Sequence, residues 1–284
     1  MSQEAGPKLA SNEKAQEDVR FSQDFFRIQT EFASAAAKLQ NMPFANACTE
    51  YTNLFNFLGD GEREWEAVDK AWNQFVDKSK PYVETGDMNG VARIAKETYN
   101  RPGEREQPGS HHFGCFSYGV RPPEDGAPGE IAVHFQNRDG KGSGPLSAAK
   151  IEKRKSELRE MFKEIKDKYK DEEYIVTGAS WLYNIPQYRD LFPQDYKESL
   201  DQSQNVAPNK RYLQNLGLWG QFLKADGGIN TRQVEKFLAK VKDAKTEEQL
   251  LDAFPVKTLT PRSPIASFYR MVDEYEKKTN RNQT

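Results

Sequence analysis

The chain has 284 residues, of which 36% are hydrophobic, 12% aromatic and 30% charged; this composition supports a folded core and excludes a largely disordered chain. Its formal net charge is −2, from 41 basic and 43 acidic side chains, and no long stretch is dominated by one sign, so we expect no nucleic-acid partner. The two cysteines, Cys48 and Cys115, lie far apart in sequence, so we expect no disulfide and a reducing, cytoplasmic location.

The first 110 residues predict a helical bundle or cap. Apolar side chains recur at alternating steps of four and three from Phe21 to Leu39, which places them on one stripe of a helix. Three similar stripes follow, and Gly59 and Pro81 are expected to end the second and third helices. The apolar stripes of the four predicted helices run over 21–39, 44–58, 65–75 and 91–99.

A sheet is predicted after residue 110. Residues 111–120 and 130–136 are short, rich in aromatic or branched side chains and separated by turn-forming residues, so they predict an antiparallel hairpin. In the second strand, alternation places Ile131 and Val133 on one face and His134 on the other.

The remaining elements complete an α+β protein. A glycine-rich loop leads to Ser147, predicted as the N-cap of a helix that ends near Tyr169. The later predicted elements are a strand over 174–180, a short helix over 187–191, an extended segment over 212–223, and helices over 231–242, 247–253 and 265–277. We therefore predict two regions: an N-terminal helical region (1–110), then a mixed sheet with flanking helices and a helical C-terminal extension (111–284). No apolar leader occupies residues 1–18 and no run of about 18 apolar residues occurs, so we expect no membrane span.

The loop from Arg138 to Pro145 is the main candidate for a binding site. A strand, a glycine-rich turn and a helix N-terminus together direct unpaired backbone N–H groups toward an anion. Arg138 and Lys141 would add positive charge. The alternative is a flexible connection, and the spacing matches neither a Walker A loop nor a dinucleotide fingerprint.

His134 is one of three histidines and lies just before this loop. An imidazole titrates near neutrality, so His134 is a candidate general base, with a hydrogen-bonded structural histidine as the alternative. On a continuous strand His111 and Cys115 would share a face that excludes His112, so we expect no metal site.

The end of the strand over 174–180 holds further candidates. Ser180 lacks the glycine pattern of a nucleophile elbow and no histidine follows it, which excludes an α/β-hydrolase triad. Ser180, Tyr183 and Asn184 remain candidates for lining a cleft at the strand end, where ligands often bind.

Three motifs between Ile131 and Pro193 occur in a recognisable order. They are VHF at 133–135, GSGPLS at 142–147 before a helix, and GASWLY at 178–183. This order resembles the GNAT-like (acyl-CoA N-acyltransferase-like) C-terminal domain of some bacterial proteins. The resemblance covers about 60 residues.

The resemblance implies a GNAT-like mixed sheet in which a strand, a pyrophosphate-binding turn, a helix and a second strand hold acyl-CoA. The loop residues that would receive the CoA phosphates are Arg138, Gly140, Lys141, Gly142, Ser143 and Gly144. The implied reaction is acyl transfer from acyl-CoA to a small-molecule acceptor, with His134 as the base and Tyr183 as the proton donor to the departing thiolate. Two alternatives stay open: a non-catalytic ligand-binding or scaffold protein with a degenerate GNAT-like domain, and a hydrolase that pairs His134 with Ser180.

Overall fold

The computed structural model describes residues 21–59, 70–100, 112–124, 126–139, 144–170, 173–201, 209–224 and 228–281. They form an N-terminal helical region followed by a five-stranded mixed sheet with flanking helices, which confirms the predicted α+β class. The helices are α1 (Gln23–Gln40), α2 (Phe44–Tyr51), α3 (Leu54–Leu58), α4 (Lys70–Thr85), α5 (Met88–Tyr99), α6 (Ile151–Tyr169), α7 (Pro186–Arg189), α8 (Gln194–Glu198), α9 (Leu216–Trp219), α10 (Thr231–Asp243), α11 (Glu247–Leu251) and α12 (Ile265–Arg281). The strands are β1 (His112–Phe113), β2 (Phe116–Arg121), β3 (Gly129–Phe135), β4 (Tyr174–Gly178) and β5 (Arg262–Pro264).

Helix α1 confirms the first predicted stripe. Ser22 caps it by accepting a hydrogen bond from the backbone N–H of Phe25, which satisfies one donor of the first turn. Phe25, Ile28 and Phe32 are fully buried. The apolar spacing therefore sets both the helix and the face that packs.

The single helix predicted over 44–58 is wrong, because the chain breaks at Thr52 into α2 and α3. Thr52 is extended there, and its Oγ1 accepts a hydrogen bond from Leu54 N at 3.1 Å. The backbone N–H of Asn53, which lies between these two residues, donates to Oε1 of the buried Gln29 at 2.9 Å. A side chain on α1 thus replaces a helical hydrogen bond.

The predicted stop before Pro81 is also wrong, since α4 continues to Thr85. Pro81 removes only one N–H donor, and it lies about one turn before the helix end. The helix ends at Gly86, whose positive φ of 74° is the left-handed conformation that commonly terminates helices. The start of this predicted helix, at Trp65, lies outside the described residues.

The sheet has the order β1-β2-β3-β4-β5, and β3–β4 is its one parallel pair among the described strands. α6 makes the crossover between β3 and β4. The predicted continuous strand over 111–120 is wrong, because the chain turns at Gly114 and pairs Phe113 with Phe116. Gly114 has φ +59°, and a Cβ there would lie 2.0 Å from the Glu157 carboxyl group, so only glycine fits.

One face of the sheet packs against α6 and α12, where Phe162 stacks on Phe268 with 4.1 Å between ring centroids. A second buried cluster joins α1–α5 to residues 213–254. For example, Phe32 contacts Trp219 and Phe254. The division of the chain at residue 110 stays a prediction. Residues 213–254, which belong to the second predicted region, pack against helices of the first.

The extended segment predicted over 212–223 is wrong for most of its length, because 3-10 turns over Asn209–Tyr212 and Gly220–Phe222 flank α9. Within it, 213–215 form a turn and Leu223 makes a single β-bridge with Ile229. Trp219 is fully buried there and donates its indole N–H to Leu213 O at 2.6 Å. The three predicted C-terminal helices are confirmed as α10, α11 and α12. Among the described residues, no helix combines the length and apolar character needed to cross a bilayer.

Candidate functional site

The structure describes both ends of the predicted cofactor loop but not its centre. Gly140, Lys141, Gly142 and Ser143 lie outside the described residues. Arg138 is exposed, and Gly144 O accepts a hydrogen bond from Ser147 N at 3.0 Å. Ser147 precedes a 3-10 turn (Ala148–Lys150) and its side chain makes no capping hydrogen bond, so the predicted Ser147 cap of α6 is wrong.

Asp139, beside Arg138, is surrounded by cations from the start of α6. Its side chain is 7% exposed, and it lies 3.1 Å from Lys150 Nζ, 3.0 Å from Lys153 Nζ and 2.9 Å from Arg154 Nη2. Burial by itself would raise the pKa of Asp139, but the hydrogen bonds from Lys153, Lys150 and Arg154 outweigh it and hold the pKa well below its usual range. The carboxylate is therefore ionised at neutral pH.

Cys115 links the β1–β2 turn to the start of the same loop and to α6. Its Sγ contacts the Arg154 guanidinium and accepts a 3.5 Å hydrogen bond from Arg138 N. Its backbone N–H donates to Glu157 Oε2 at 3.1 Å, and its carbonyl accepts from Gln136 N at 2.9 Å. Burial raises the pKa of the Cys115 thiol, so the sulfur is a neutral structural group and not an activated nucleophile.

Sequence reasoning missed this ionic cluster, although one signal was available. Arg154 lies on the apolar stripe of α6, three residues after Ile151 and four before Leu158, and it is fully buried. A charged residue at an inward position of an amphipathic helix requires a buried partner. Glu157, one turn later, is that partner at 3.0 Å, together with Asp139.

His134 lies on the sheet face opposite the α6–α12 core. The register places it beside Ser117, which in turn pairs with His112, so these three side chains form one cross-strand row. His134 is exposed, and a Cβ on Gly119 would lie 3.5 Å from its Nε2. Partial desolvation by these neighbours lowers the pKa of His134, so the imidazole is neutral at physiological pH, as a base must be.

None of the described side chains on this face is fully buried. Small residues form its centre, where Gly119 pairs with Ala132 and Ala132 with Thr177. Next to that row, Glu130 forms an ion pair with Arg121 and accepts a hydrogen bond from Thr177 Oγ1 at 2.8 Å. The face is therefore a shallow, mainly polar surface. His111 lies outside the described residues.

Tyr183 is on the other side of the sheet, within the core. It is 1% exposed, and its hydroxyl forms a 2.8 Å hydrogen bond with the hydroxyl of Tyr196. Burial raises the pKa of Tyr183 well above its ordinary value. A Cβ on Gly178 would lie 2.1 Å from the Tyr183 hydroxyl, so the phenol packs directly under β4.

Ser180 has a structural contact of its own at the end of β4. Its Oγ accepts a hydrogen bond from Leu182 N at 3.1 Å and caps a 3-10 turn over Trp181–Asn184. Its backbone pairs with Leu259. The structure therefore does not bring His134 together with either Tyr183 or Ser180.

The parallel strands part where a ligand cleft was predicted. Val133 and Gly178 form the last β3–β4 pair; β3 then continues beside β2, and the chain after β4 turns toward Leu259. Aromatic rings fill the gap. The Tyr188 ring lies 5.3 Å from Phe135 and 5.1 Å from Tyr183, measured between centroids, and Tyr188 is 1% exposed.

Two concavities lie elsewhere on the described surface. A groove of about 590 Å³ runs between α6 and α12, past Arg159, Lys163 and Tyr275, and a second of about 210 Å³ lies beside Thr52. Neither is lined by a predicted site residue. Among the described residues, no group of three or more His, Cys, Asp and Glu side chains is arranged to hold a metal ion.

No protein-family model matches the chain, and comparisons with curated proteins and with solved structures returned no match. The resemblance to the GNAT-like domain therefore stays a prediction. It is based on the motif order and is compatible with the succession of β3, α6 and β4.

Proposed function

We propose that this chain is a non-catalytic binding or scaffold protein. The observation that carries the proposal is the packed aromatic filling between the ends of β3 and β4. Acyl transfer at this position would require space for a ligand, whereas Tyr183 and Tyr188 are each 1% exposed there.

The hydrogen-bonding of the candidate catalytic groups supports the same proposal. A proton donor must lie within hydrogen-bonding reach of the group that it protonates. The Tyr183 hydroxyl is bonded to Tyr196 in the core, and the Ser180 Oγ caps a turn. His134 faces the opposite side of the sheet, so a base and an acid at these positions do not share one reaction centre.

The charges beside the predicted phosphate loop also support it. Lys150, Lys153 and Arg154 lie at the start of α6, shortly after the loop, and all three contact Asp139. A CoA pyrophosphate at this point would meet an ionised carboxylate, which repels it.

Acyl transfer is the second candidate function, and His134 is the observation that favours it. Its imidazole is exposed, has a lowered pKa and lies at the end of β3, four residues before Arg138. On this hypothesis His134 deprotonates an acceptor amine without assistance from Tyr183. A single well-placed base contributes roughly 10² to 10⁴ in rate.

The thermal stability of the full chain in the presence of acetyl-CoA and longer acyl-CoAs distinguishes the two functions. We expect no saturable rise in Tm. A ligand at about 100 times its Kd stabilises the native state by about 2.7 kcal/mol, so a clear rise with CoA species would overturn the non-catalytic proposal.

A kinetic comparison completes the test. Release of free CoA would be measured with a panel of amines, for the wild type and for His134→Ala. The control is Tyr275→Phe, because Tyr275 is an exposed residue of α12, distant in sequence from β3. Turnover that His134→Ala abolishes and Tyr275→Phe preserves would establish the acyltransferase. Absence of turnover in all three proteins supports the binding or scaffold role.

A further inference from the structure

The cations at the start of α6 converge on a single carboxylate. Lys150, Lys153 and Arg154 each have a side-chain nitrogen within 3.1 Å of an Asp139 oxygen. Asp139 is not part of the helix, since it follows the end of β3. Three cations at a helix N-terminus with a carboxylate between them have the composition of an oxyanion-binding site.

We propose that this cluster is a site for a small oxyanion such as inorganic phosphate, and that the chain's own Asp139 occupies it as an internal ligand. The carboxylate takes the place of the external anion and keeps it out. Asp139, a residue of the predicted phosphate loop, thus takes the place of the phosphate at the start of α6. The inference does not depend on the proposed function, since an internal ligand is compatible with either candidate.

The contacts of Arg154 indicate that the site keeps its geometry when Asp139 is absent. Arg154 is fully buried, and its Nε has no hydrogen-bond partner among the described residues. Its Nη2 is also 3.0 Å from Glu157 Oε1. Glu157 therefore keeps the guanidinium in position when Asp139 is removed.

Access and charge favour an external anion once the carboxylate is gone. The Lys153 side chain is 60% exposed and that of Lys150 is 22% exposed, so an ion arriving from solvent reaches both. Without Asp139, Lys153 and Arg154 share one described carboxylate, that of Glu157. The backbone N–H groups at the start of α6 add partial positive charge.

The test is anion rescue of Asp139→Ala. We would titrate inorganic phosphate into the full chain, hold the ionic strength constant with chloride, and follow Tm. We expect a saturable rise for Asp139→Ala, with an apparent affinity at least about tenfold tighter than any response of the wild type. Constant ionic strength removes the general screening effect of salt.

Asp273→Ala is the matched control. Asp273 forms an ion pair with Lys166 near the other end of α6 at 2.5 Å and is 45% exposed, so its removal also frees a cation on this helix but leaves no buried cluster. We expect no saturable phosphate response from this variant. An equal response from Asp273→Ala and Asp139→Ala would overturn the inference, because it would show binding to any unpaired lysine.

A second variant keeps the test decisive when Asp139→Ala does not fold. Asp139→Asn retains the shape and removes the charge, and phosphate binding to it is measured by ³¹P NMR line broadening. Binding by Asp139→Asn that the wild type lacks supports the internal ligand. Identical behaviour of the two proteins, or no binding by either, refutes it. Acetyl-CoA stabilisation of the wild type would instead count against the proposed function alone.

Discussion

Substitution of Arg154 by methionine probes the buried ionic cluster directly. Methionine is unbranched and uncharged, so Arg154→Met removes the guanidinium and still fills the part of the site occupied by the aliphatic portion of the arginine side chain. It leaves the Asp139 and Glu157 carboxylates, which are 7% and 8% exposed, without the buried cation that contacts both. It also removes the contact to Cys115 Sγ.

The expected loss of stability follows from the cost of an uncompensated buried charge. Removal of one partner of a buried ion pair costs about 3 to 5 kcal/mol. Lys150 and Lys153 still contact Asp139 in the variant, so we expect a loss near the lower end, about 3 kcal/mol. That is a large fraction of the 5 to 15 kcal/mol typical of a folded domain.

Urea denaturation at pH 7, with the free energy of unfolding taken by linear extrapolation, measures this loss. Arg159→Met is the matched control, because Arg159 is on the same helix and its guanidinium lies 3.7 Å above the ring of the exposed Tyr275. A surface contact of this kind contributes at most about 1 kcal/mol. Equal effects of the two substitutions would refute the assignment of Arg154 as the centre of a buried cluster.

The pH dependence of the Arg154→Met effect provides an independent check. The lowered pKa of Asp139 stabilises the wild type above the unfolded pKa of aspartate, about 3.9, and this contribution is lost as the pH falls. In the variant Asp139 lacks the guanidinium, so its pKa is less lowered and the variant loses less stability on acidification. The stability difference between wild type and Arg154→Met should therefore shrink as the pH falls below about 3.9, toward about pH 2. A difference that stays constant between about pH 4 and about pH 2 would contradict the electrostatic explanation.

Two further predictions concern His134 and Tyr183. The folded pKa of His134 is lowered by desolvation, so the unfolded state binds more protons between the folded pKa and about 6.5, and stability falls as the pH drops through that window. The urea midpoint of His134→Gln should therefore fall less on acidification than that of the wild type. Equal falls in the two midpoints would contradict the desolvation. Tyr183→Phe removes the hydrogen bond to the buried Tyr196 hydroxyl, so we expect a lower Tm and a loss of about 1 to 3 kcal/mol, whereas Tyr275→Phe on the surface should leave Tm unchanged. A Tm for Tyr183→Phe equal to that of the wild type would show that the Tyr183–Tyr196 hydrogen bond adds nothing to stability.

Local periodicity was sufficient for most of the helices and for the central hairpin. The stripe through Phe25 and Phe32 defines α1, and the alternation of Ile131, Val133 and His134 gives the two faces of β3. These predictions succeed because the residues that make an amphipathic face lie within a few positions of one another.

The tertiary structure decided the features that depend on residues distant in sequence. Gln29 of α1 captures the Asn53 N–H and breaks a helix that spacing alone would continue. The Glu157 carboxylate lies against Gly114 and stabilises a turn inside a predicted strand. No local pattern encodes either contact, because each pairs a side chain with a backbone group at least 24 positions away.

The candidate site likewise depends partly on local sequence and partly on contacts between distant residues. The sequence by itself determined which residue types surround the loop after β3, and it predicted correctly that His134 faces away from Ile131 and Val133. Only the packed structure decided that Tyr183 lies across the sheet from His134, that Ser180 caps a turn, and that Asp139 forms ion pairs with the cations at the start of α6. The physical reason is that alternation sets a side chain's face within one strand, whereas the turn after β4 and the crossover through α6 set which faces and charges meet.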